Sequence, residues 1–332
     1  MGRKKEVKLD DIARELGVSI VSVSNAIKGR KGVGEELRRE ILQKAQDMGY
    51  EGPRPDSGKE KSCRIGVVMA EHNMKEYPSF YMDVYQQTVQ EAIRQSYLTV
   101  LEIVDPEKEN LERGFGLFKD LEIKGIFVIG EVSRAFVRRV KAGSKVPVVC
   151  IGTYCLEEDM DYVVADNFHG AQCITQKLID AGHKDIMFVG TSVVSTAVLD
   201  RYMGYCKALK VNGLQELRGI FMGDGHADLE IPAVLPDAFV CSGSESACAL
   251  VDKLTERGAK IPEDVSIAGC DCACLSITRR LLMETCEGDK NALVRIGVDT
   301  LRKRIAGMGG PEGVRMVSGN IEAGNTIMIR KG

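Results

Sequence analysis

Between Ser19 and Lys31 the chain reads Ser-Ile-Val-Ser-Val-Ser-Asn-Ala-Ile-Lys-Gly-Arg-Lys, three serines, an asparagine and three cations interleaved with small and apolar residues. Carried on a helix, these side chains have the chemistry to read DNA. Asn25 can pair bidentately with adenine N6 and N7, and Ile20 or Val21 can pack on a thymine methyl. Ser19, Ser22, Ser24, Lys28, Arg30 and Lys31 suit phosphate oxygens, contacts that position a protein on a duplex without reading its sequence. The plainer alternative is a small helical bundle with a solvated basic face. A second group, Cys270-Asp-Cys272-Ala-Cys274, sets three thiols close together and raises metal or redox chemistry. Structural zinc sites want ligands in pairs two to four residues apart. The chain has no Cys-x-x-Cys, and only Cys150 and Cys155 stand as a second pair. Core or pocket-lining thiols are therefore expected, with no metal and no cofactor, and oxidation of an exposed thiol is the alternative.

The helices that must carry the first group are legible. Leu9, Ile12, Ala13 and Leu16 fall at i, i+3, i+4 and i+7, the apolar stripe of a short helix that Gly17 stops. Ser19 is a good N-cap for a second helix, with Val23, Ala26 and Ile27 facing inward and Gly29 closing it. A third, roughly Glu35–Met48, sets Leu37, Ile41, Ala45 and Met48 on one face and Glu35 and Glu36 at the positive end of its dipole. Residues 1–31 carry eight Lys/Arg against four Asp/Glu; since the 332-residue chain has a net charge of −3, the remainder carries about −7. One end is suited to a polyanion. Residues 51–62 hold two Pro, two Gly and no Leu, Ile, Val, Met or Phe, which predicts a linker.

Beyond it the texture changes. Apolar runs at Ile65–Met69, Leu98–Val104, Ile126–Ile129, Val146–Ile151, Ile186–Val189, Phe239–Cys241 and Val265–Ala268 alternate with helical patterns. Those patterns are Met82–Gln95, Glu109–Leu121, Phe168–Ala181, Arg201–Val211, Glu245–Arg257 and Ala292–Ile305. Such alternation predicts parallel sheets flanked by helices, and residues 63–332 suffice for two of them facing each other across a cleft. Ligands bind such sheets outside the carboxyl ends of the strands. His72, Asn73, Tyr81, Asp105, Glu131, Tyr154, Asp166 and Asn167 follow or flank strand ends and are cleft candidates by position. With 44% hydrophobic and 28% charged residues, the chain can bury a sizeable core. No stretch approaches the roughly 18 apolar residues of a membrane span, and the charged first residues lack an apolar signal core, so a soluble, cytoplasmic protein is expected. The eleven cysteines are scattered, several in apolar runs, and predict no disulfide framework. An enzyme of the doubly wound type would fit the alternation alone. The chain, however, has no Gly-x-Gly-x-x-Gly after its first strand, no phosphate loop and no Gly-x-Ser-x-Gly elbow.

The run from Val7 to Gly29, followed by Gly32-Val-Gly-Glu-Glu-Leu-Arg-Arg-Glu-Ile-Leu and Met48-Gly-Tyr50, closely resembles the N-terminal domain of the lactose-repressor/galactose-repressor family of bacterial transcription regulators. The resemblance continues through Arg64-Ile-Gly-Val-Val, Pro147-Val-Val-Cys-Ile-Gly, Val164-Ala-Asp-Asn-Phe-His-Gly170 and Ala181-Gly-His-Lys-Asp-Ile-Met-Phe-Val-Gly190. It ends with Asp200-Arg-Tyr-Met-Gly-Tyr205 and Ile261-Pro-Glu-Asp-Val-Ser-Ile-Ala-Gly269. It implies an all-α helix-turn-helix DNA-binding domain over 1–50, a hinge linker over 51–62 and an α/β two-lobed, periplasmic-binding-protein-like core over 63–332. It further implies a homodimer on a pseudo-palindromic operator, with a small effector between the lobes.

Two departures from the family pattern stand out. The family hinge usually carries a leucine that wedges into the minor groove and bends the duplex; residues 51–62 have none, so specificity is expected to rest more on the second helix. In the core, the segment matching Cys241-Ser-Gly-Ser-Glu245 usually offers Asn-Asp where this chain has Gly243 and Ser244. An aromatic often follows Gly-Asp where Gly225 follows Gly223-Asp224. Arg201 matches the family's effector-binding arginine and Asp271 the first aspartate of its usual Phe-Asp-Asp. Together they suit a polar or anionic ligand, and Asn73, Tyr81, Asp166 and Ser244 complete the candidate effector set. A regulator that has lost ligand response is the competing expectation.

Overall fold

The computed structural model describes residues 7–27, 32–48, 50, 63–76, 78–110, 118, 121–155, 160–191, 195–216, 219–222, 229–272 and 281–330. The linker at 51–62, and with it Lys28, Arg30, Lys31, Gly223–Gly225 and Cys274, lies outside them. The chain forms two compact units, Met1–Ser62 and Cys63–Gly332.

In the first unit, α1 (Leu9–Leu16), α2 (Ile20–Ile27) and α3 (Glu35–Asp47) enclose Ile12, Ala13, Val23, Ala26, Ile41 and Ala45. The α1–α2 turn depends on Gly17, which sits at φ 65, a left-handed conformation open to glycine, and returns its N–H to the Ala13 carbonyl. Ser19 then caps α2: its Oγ accepts from the Ser22 N–H at 3.0 Å. A Lys44–Glu15 ion pair at 3.0 Å ties α3 to α1.

The second unit contains two six-stranded sheets. The first lobe is built on β1 (Cys63–Ala70), β2 (Tyr97–Val104), β3 (Ile123–Ile129), β4 (Val148–Ile151), β5 (Asp161–Ala165) and β11 (Gly313–Val317), in the order β11-β5-β4-β3-β1-β2. The second lobe uses β6 (Ile186–Gly190), β7 (Ile220–Phe221), β8 (Ala238–Cys241), β9 (Ser266–Cys270), β10 (Glu284–Glu287) and β12 (Asn320–Glu322), in the order β12-β10-β9-β8-β6-β7. All pairings are parallel except β10 with β12, where the chain re-enters the second sheet at its edge. Around these strands lie α4 (Glu71–Glu76), α5 (Pro78–Arg94), α6 (Pro106–Asn110), α7 (Arg134–Gly143), α8 (Asn167–Asp180), α9 (Thr196–Val211), α10 (Ser244–Glu256) and α11 (Lys290–Ile305).

Each sheet is covered on both faces, as all-parallel strands with apolar residues on both sides require. The first sheet packs α5 and α11 on one face through Tyr81, Val84, Leu293 and Val298, and α7 on the other through Phe136, Val137 and Val140. The second packs α10 against one face through Leu250 and Leu254, and α8 with α9 against the other through Ile174, Leu178 and Tyr205.

Several sequence expectations are corrected. The helix expected at Glu109–Leu121 is described only as the short α6, starting at Pro106, and residues 111–117, 119 and 120 lie outside the described set. Helix α9 begins at Thr196, five residues before the expected Arg201, because Ser195 caps it by accepting from the Val198 N–H. Strands β5, β7, β10, β11 and β12 and helices α4 and α7 were not foreseen.

The chain crosses between lobes at three places: β5 into α8, β10 into α11, and β11 into β12. The first and third are joined by the Asp166 N–H, which donates to the Val317 carbonyl at 2.9 Å.

Candidate functional site

On α2, Val23 and Ala26 are buried, Ile20 and Val21 are exposed, and Ser22, Ser24 and Asn25 are half-buried. Ile20 is 49% exposed and Val21 67%. These two β-branched side chains in the first helical turn are accessible for apolar contact with a partner surface. Val21 and Asn25 are four residues apart and share one face. Ser19 and Ser22 bond each other through their Oγ atoms at 2.8 Å at the helix entrance. The arrangement presents two apolar contacts and an amide on the first two turns, the geometry with which a recognition helix enters a major groove.

In the core, Arg201 and Asp271 form a direct ion pair through Nη2 and Oδ2. Arg201 sits one turn into α9, which is locked in place by two features C-terminal to it. The buried Tyr205 hydroxyl donates to the Ile186 carbonyl at 2.7 Å, and Gly204 lies so close to α8 that a Cβ there would collide with the Phe168 carbonyl. Arg201 Nε donates to Asn167 Oδ1 at 2.8 Å and Nη1 to the Ser242 carbonyl. Asp271 adopts φ 50 and accepts the Gly288 N–H on Oδ1 at 2.9 Å. Asn167 stands at the first interlobe crossover and Gly288 at the second, so the Arg201–Asp271 pair is keyed into the hinge. Burial alone would lower the Arg201 pKa, but Asp271 more than offsets it and the guanidinium is held in its charged form. The cavity between Asp166, Asn167, Arg201, Asp271 and Gly288 measures about 20 Å³, room for about one water.

The other candidates divide. Ser244 Oγ donates to the Asp271 carbonyl at 2.5 Å and supports its left-handed backbone. Asp166 caps α8 by accepting the His169 N–H at 3.0 Å. Asn73 stands behind the cleft: its Nδ2 donates to the Glu131 carbonyl at 2.7 Å while Oδ1 accepts the Glu131 N–H at 3.2 Å. Tyr81 is buried in the first-lobe core. His72 pairs with Glu109 at 3.5 Å, and Asp105 caps α6 through the Lys108 N–H.

Contacts that join the lobes were largely missed. Glu131 Oε1 in the first lobe accepts from Ser195 Oγ at 2.7 Å and from the Ala197 N–H at 3.2 Å, both at the amino end of α9 in the second. The Tyr154 hydroxyl reaches the Asp200 carboxylate at 3.2 and 3.3 Å. Glu131 and Tyr154 were legible as strand-end residues; Ser195 and Asp200 were not singled out, and the only local signal was the N-cap serine.

Cys270 and Cys272 are buried, and burial pushes the Cys270 thiol up to about 12 and Cys272 well above its ordinary value. Thiols so held are poor nucleophiles. Among the described residues no group of three His, Cys, Asp or Glu could hold a metal ion, and no helix is long and apolar enough to cross a membrane.

An exposed helix carrying apolar and amide side chains, and a separate two-lobed core with a charged pair at its hinge, are the parts from which ligand-controlled DNA-binding regulators are built. The profile of the periplasmic binding protein-like domain family matches residues 175–327. The HTH-type transcriptional repressor PurR of Histophilus somni is 23% identical over 91% of this chain and 93% of its own. Catabolite control protein A of Priestia megaterium is 28% identical over 81% of this chain and 84% of its own. Among solved structures, a complex of the regulator CelR with cellobiose superposes with a TM-score of 0.67 at 20% identity, covering 97% of this chain and all of that one. The lac repressor dimer bound to operator and the anti-inducer ONPF gives 0.67 at 18%, over 98% and 100%. Over most of its length the chain is similar to transcription regulators of the lactose-repressor/galactose-repressor family. Those relatives are named as a transcriptional repressor and a catabolite control protein.

Proposed function

We propose that the protein is a repressor that binds a pseudo-palindromic operator as a homodimer through α2, with its operator affinity set by a small polar metabolite, a sugar or a compound of similar size, taken up between the lobes. The observation that carries the ligand half is the placement of Arg201 and Asp271. Each bonds a different interlobe crossover, at Asn167 and Gly288, so a ligand that perturbs the pair acts on the hinge. Control then follows from differential affinity for two lobe arrangements. In this reading Arg201, Asp271, Asp166 and Ser244 border the ligand, Asn73 supports Glu131 from behind, Tyr81 packs in the first-lobe core beneath it, and Ile20, Val21 and Asn25 meet base edges. Ser19, Ser22, Ser24, Lys28, Arg30 and Lys31 meet phosphates.

Selection of sites from random duplex DNA by the full-length protein at fixed, physiological salt tests the DNA half. A recovered pseudo-palindrome is the expected result; salt-sensitive, sequence-blind binding would refute operator recognition. A second reading, a regulator without ligand response, is favoured by the small cavity at Arg201 and by the engagement of all three guanidinium nitrogens within the protein. Calorimetric titration separates the two.

A further inference from the structure

We infer that the groove between α5 and α11 on the first lobe binds a small hydroxy acid, at a site separate from the interlobe cleft. The cleft at Arg201 leaves about 20 Å³. The groove measures about 350 Å³, within the range of small-molecule sites. Its walls are fixed by the fold, because α11 presses Leu293, Val294 and Val298 into the first-lobe core beside Val84 of α5. At the end nearest the hinge, Lys290 pairs with Asp83 at 3.1 Å and lies 5.2 Å from the centre of the Phe80 ring, which ties the two helices together there. A ligand would enter a preformed site.

The charges on the walls leave one cation uncompensated. Glu91 and Arg94, both on α5, pair with each other at 3.0 Å. Asp289 is engaged as the N-cap of α11, where it accepts the Ala292 N–H at 2.8 Å. Arg295 also lines the groove, and among the described residues it has neither an ion-pair partner nor a hydrogen-bond acceptor. Three carboxamides, Gln87, Gln90 and Asn291, share the walls with it. Gln90 and Asn291 have no hydrogen-bond partner among the described residues, and Gln87 Oε1 is buried without a donor. A buried oxygen in that state calls for a partner, and a small rotation of the Gln87 side chain would offer it to a group in the groove. Any one of these side chains alone would be an ordinary solvated surface group. Their convergence on one concavity, over a floor of Ala292 and Val294, is what a small polar ligand requires. The guanidinium fork matches a carboxylate bidentately. Each carboxamide offers donors and an acceptor, and a hydroxyl answers both. A hydroxy acid carries the two groups together; a neutral sugar has no charge for Arg295, and a bare inorganic anion has no hydroxyl for the amides.

The test is calorimetric titration of the full-length protein at fixed ionic strength with gluconate, malate and tartrate. Glucose, succinate and sulfate are the comparisons: the first lacks the charge, the second the hydroxyls and the third the carbon skeleton. At least one hydroxy acid should bind, and its counterpart, glucose for gluconate or succinate for malate and tartrate, should bind tenfold or more weakly. Arg295→Gln should weaken the acid by tenfold or more, while Lys210→Gln, which removes a charge from α9 in the other lobe, should leave it unchanged. Both side chains are exposed, and the compound comparisons leave the protein unaltered and decide the matter even where a variant fails to fold. An acid held equally well by the Arg295→Gln protein sits elsewhere, the cleft included, and overturns the site. Sulfate binding as tightly as the acid, or succinate matching tartrate, would overturn the hydroxy-acid class. Failure of all three acids would overturn site and class together, leaving the interlobe cleft to be judged by its own titration.

Discussion

Asn25 stands on the open side of α2, four residues after Val21, and its neighbours Val23 and Ala26 hold the helix from behind. If it reads an adenine edge, Asn25→Ala costs about 1–3 kcal/mol at one base position and leaves the others unchanged. Binding to a set of singly substituted operators measures this, and uniform weakening would make Asn25 a backbone contact. Two other residues contribute to the response to acid. Burial alone would raise the Asp161 pKa, but Arg304 and Arg315, each at 2.6 Å, hold it below the ordinary carboxylate value. Its folded pKa is depressed, so its contribution is present above the unfolded value near ~3.9 and lost as pH falls through the folded one. His183 is buried, its pKa is lowered mainly by that burial, and its Nε2 bonds the Met328 carbonyl at 3.0 Å. As Nε2 must donate there, protonation would add a proton at Nδ1, which is buried and without a partner among the described residues. Its contribution is present above about pH 6.5 and is lost as pH falls toward the depressed folded value. The melting temperature should therefore fall in two stages on acidification, and His183→Gln should flatten the first. A single stage near pH 4 would show that His183 is protonated freely in the fold.

At the scale of elements, α8 and α9 approach each other through Gly204, where the Phe168 carbonyl occupies the space a Cβ would need. Gly204→Ala should destabilise the core by about 1–3 kcal/mol in urea unfolding, since helix backbones must separate to admit the methyl. Gly143→Ala, at the end of α7 with nothing near its missing Cβ, is the control and should be neutral or slightly stabilising. The same elements show what a sequence discloses. Helices α1, α2, α8, α10 and α11 were legible because each carries a long stripe or a capping residue, and β1, β3 and β9 because their apolar runs are uninterrupted. Strand β5 was hidden because it opens with Asp161, which only Arg304 and Arg315, 143 and 154 residues away, make tolerable in a core position. Strands β11 and β12 are short, and their partners β5 and β10 lie far off in the chain. Of the cleft, Arg201 and Asp271 were readable from their flanking residues. The Glu131–Ser195 contact was not, since nothing local to either residue records that the two lobes bring them together.

For the molecule as a whole, the decisive quantity is the balance between lobes apart and lobes together. Among the described residues, two direct side-chain bridges favour the latter: Glu131 with Ser195 and Ala197, and Asp200 with Tyr154. A hydrogen bond to a charged group contributes about 1.5–3 kcal/mol. Removing both hydroxyls, with Ser195→Ala and Tyr154→Phe together, should shift the closed-to-open ratio by roughly a hundredfold or more. The carboxylates remain in that variant, now with fewer donors, so each gains by turning to water and the lobes part more readily. Small-angle scattering of the variant should show a larger radius of gyration than the parent, and operator affinity should change with it, because the three crossovers run through the same hinge that Arg201 and Asp271 tie together. An unchanged radius would mean that the lobes are held by their crossovers alone. A changed radius with unchanged operator affinity would mean that lobe closure and DNA binding are not coupled, and the hinge pair would then be a structural device and not the transmitter.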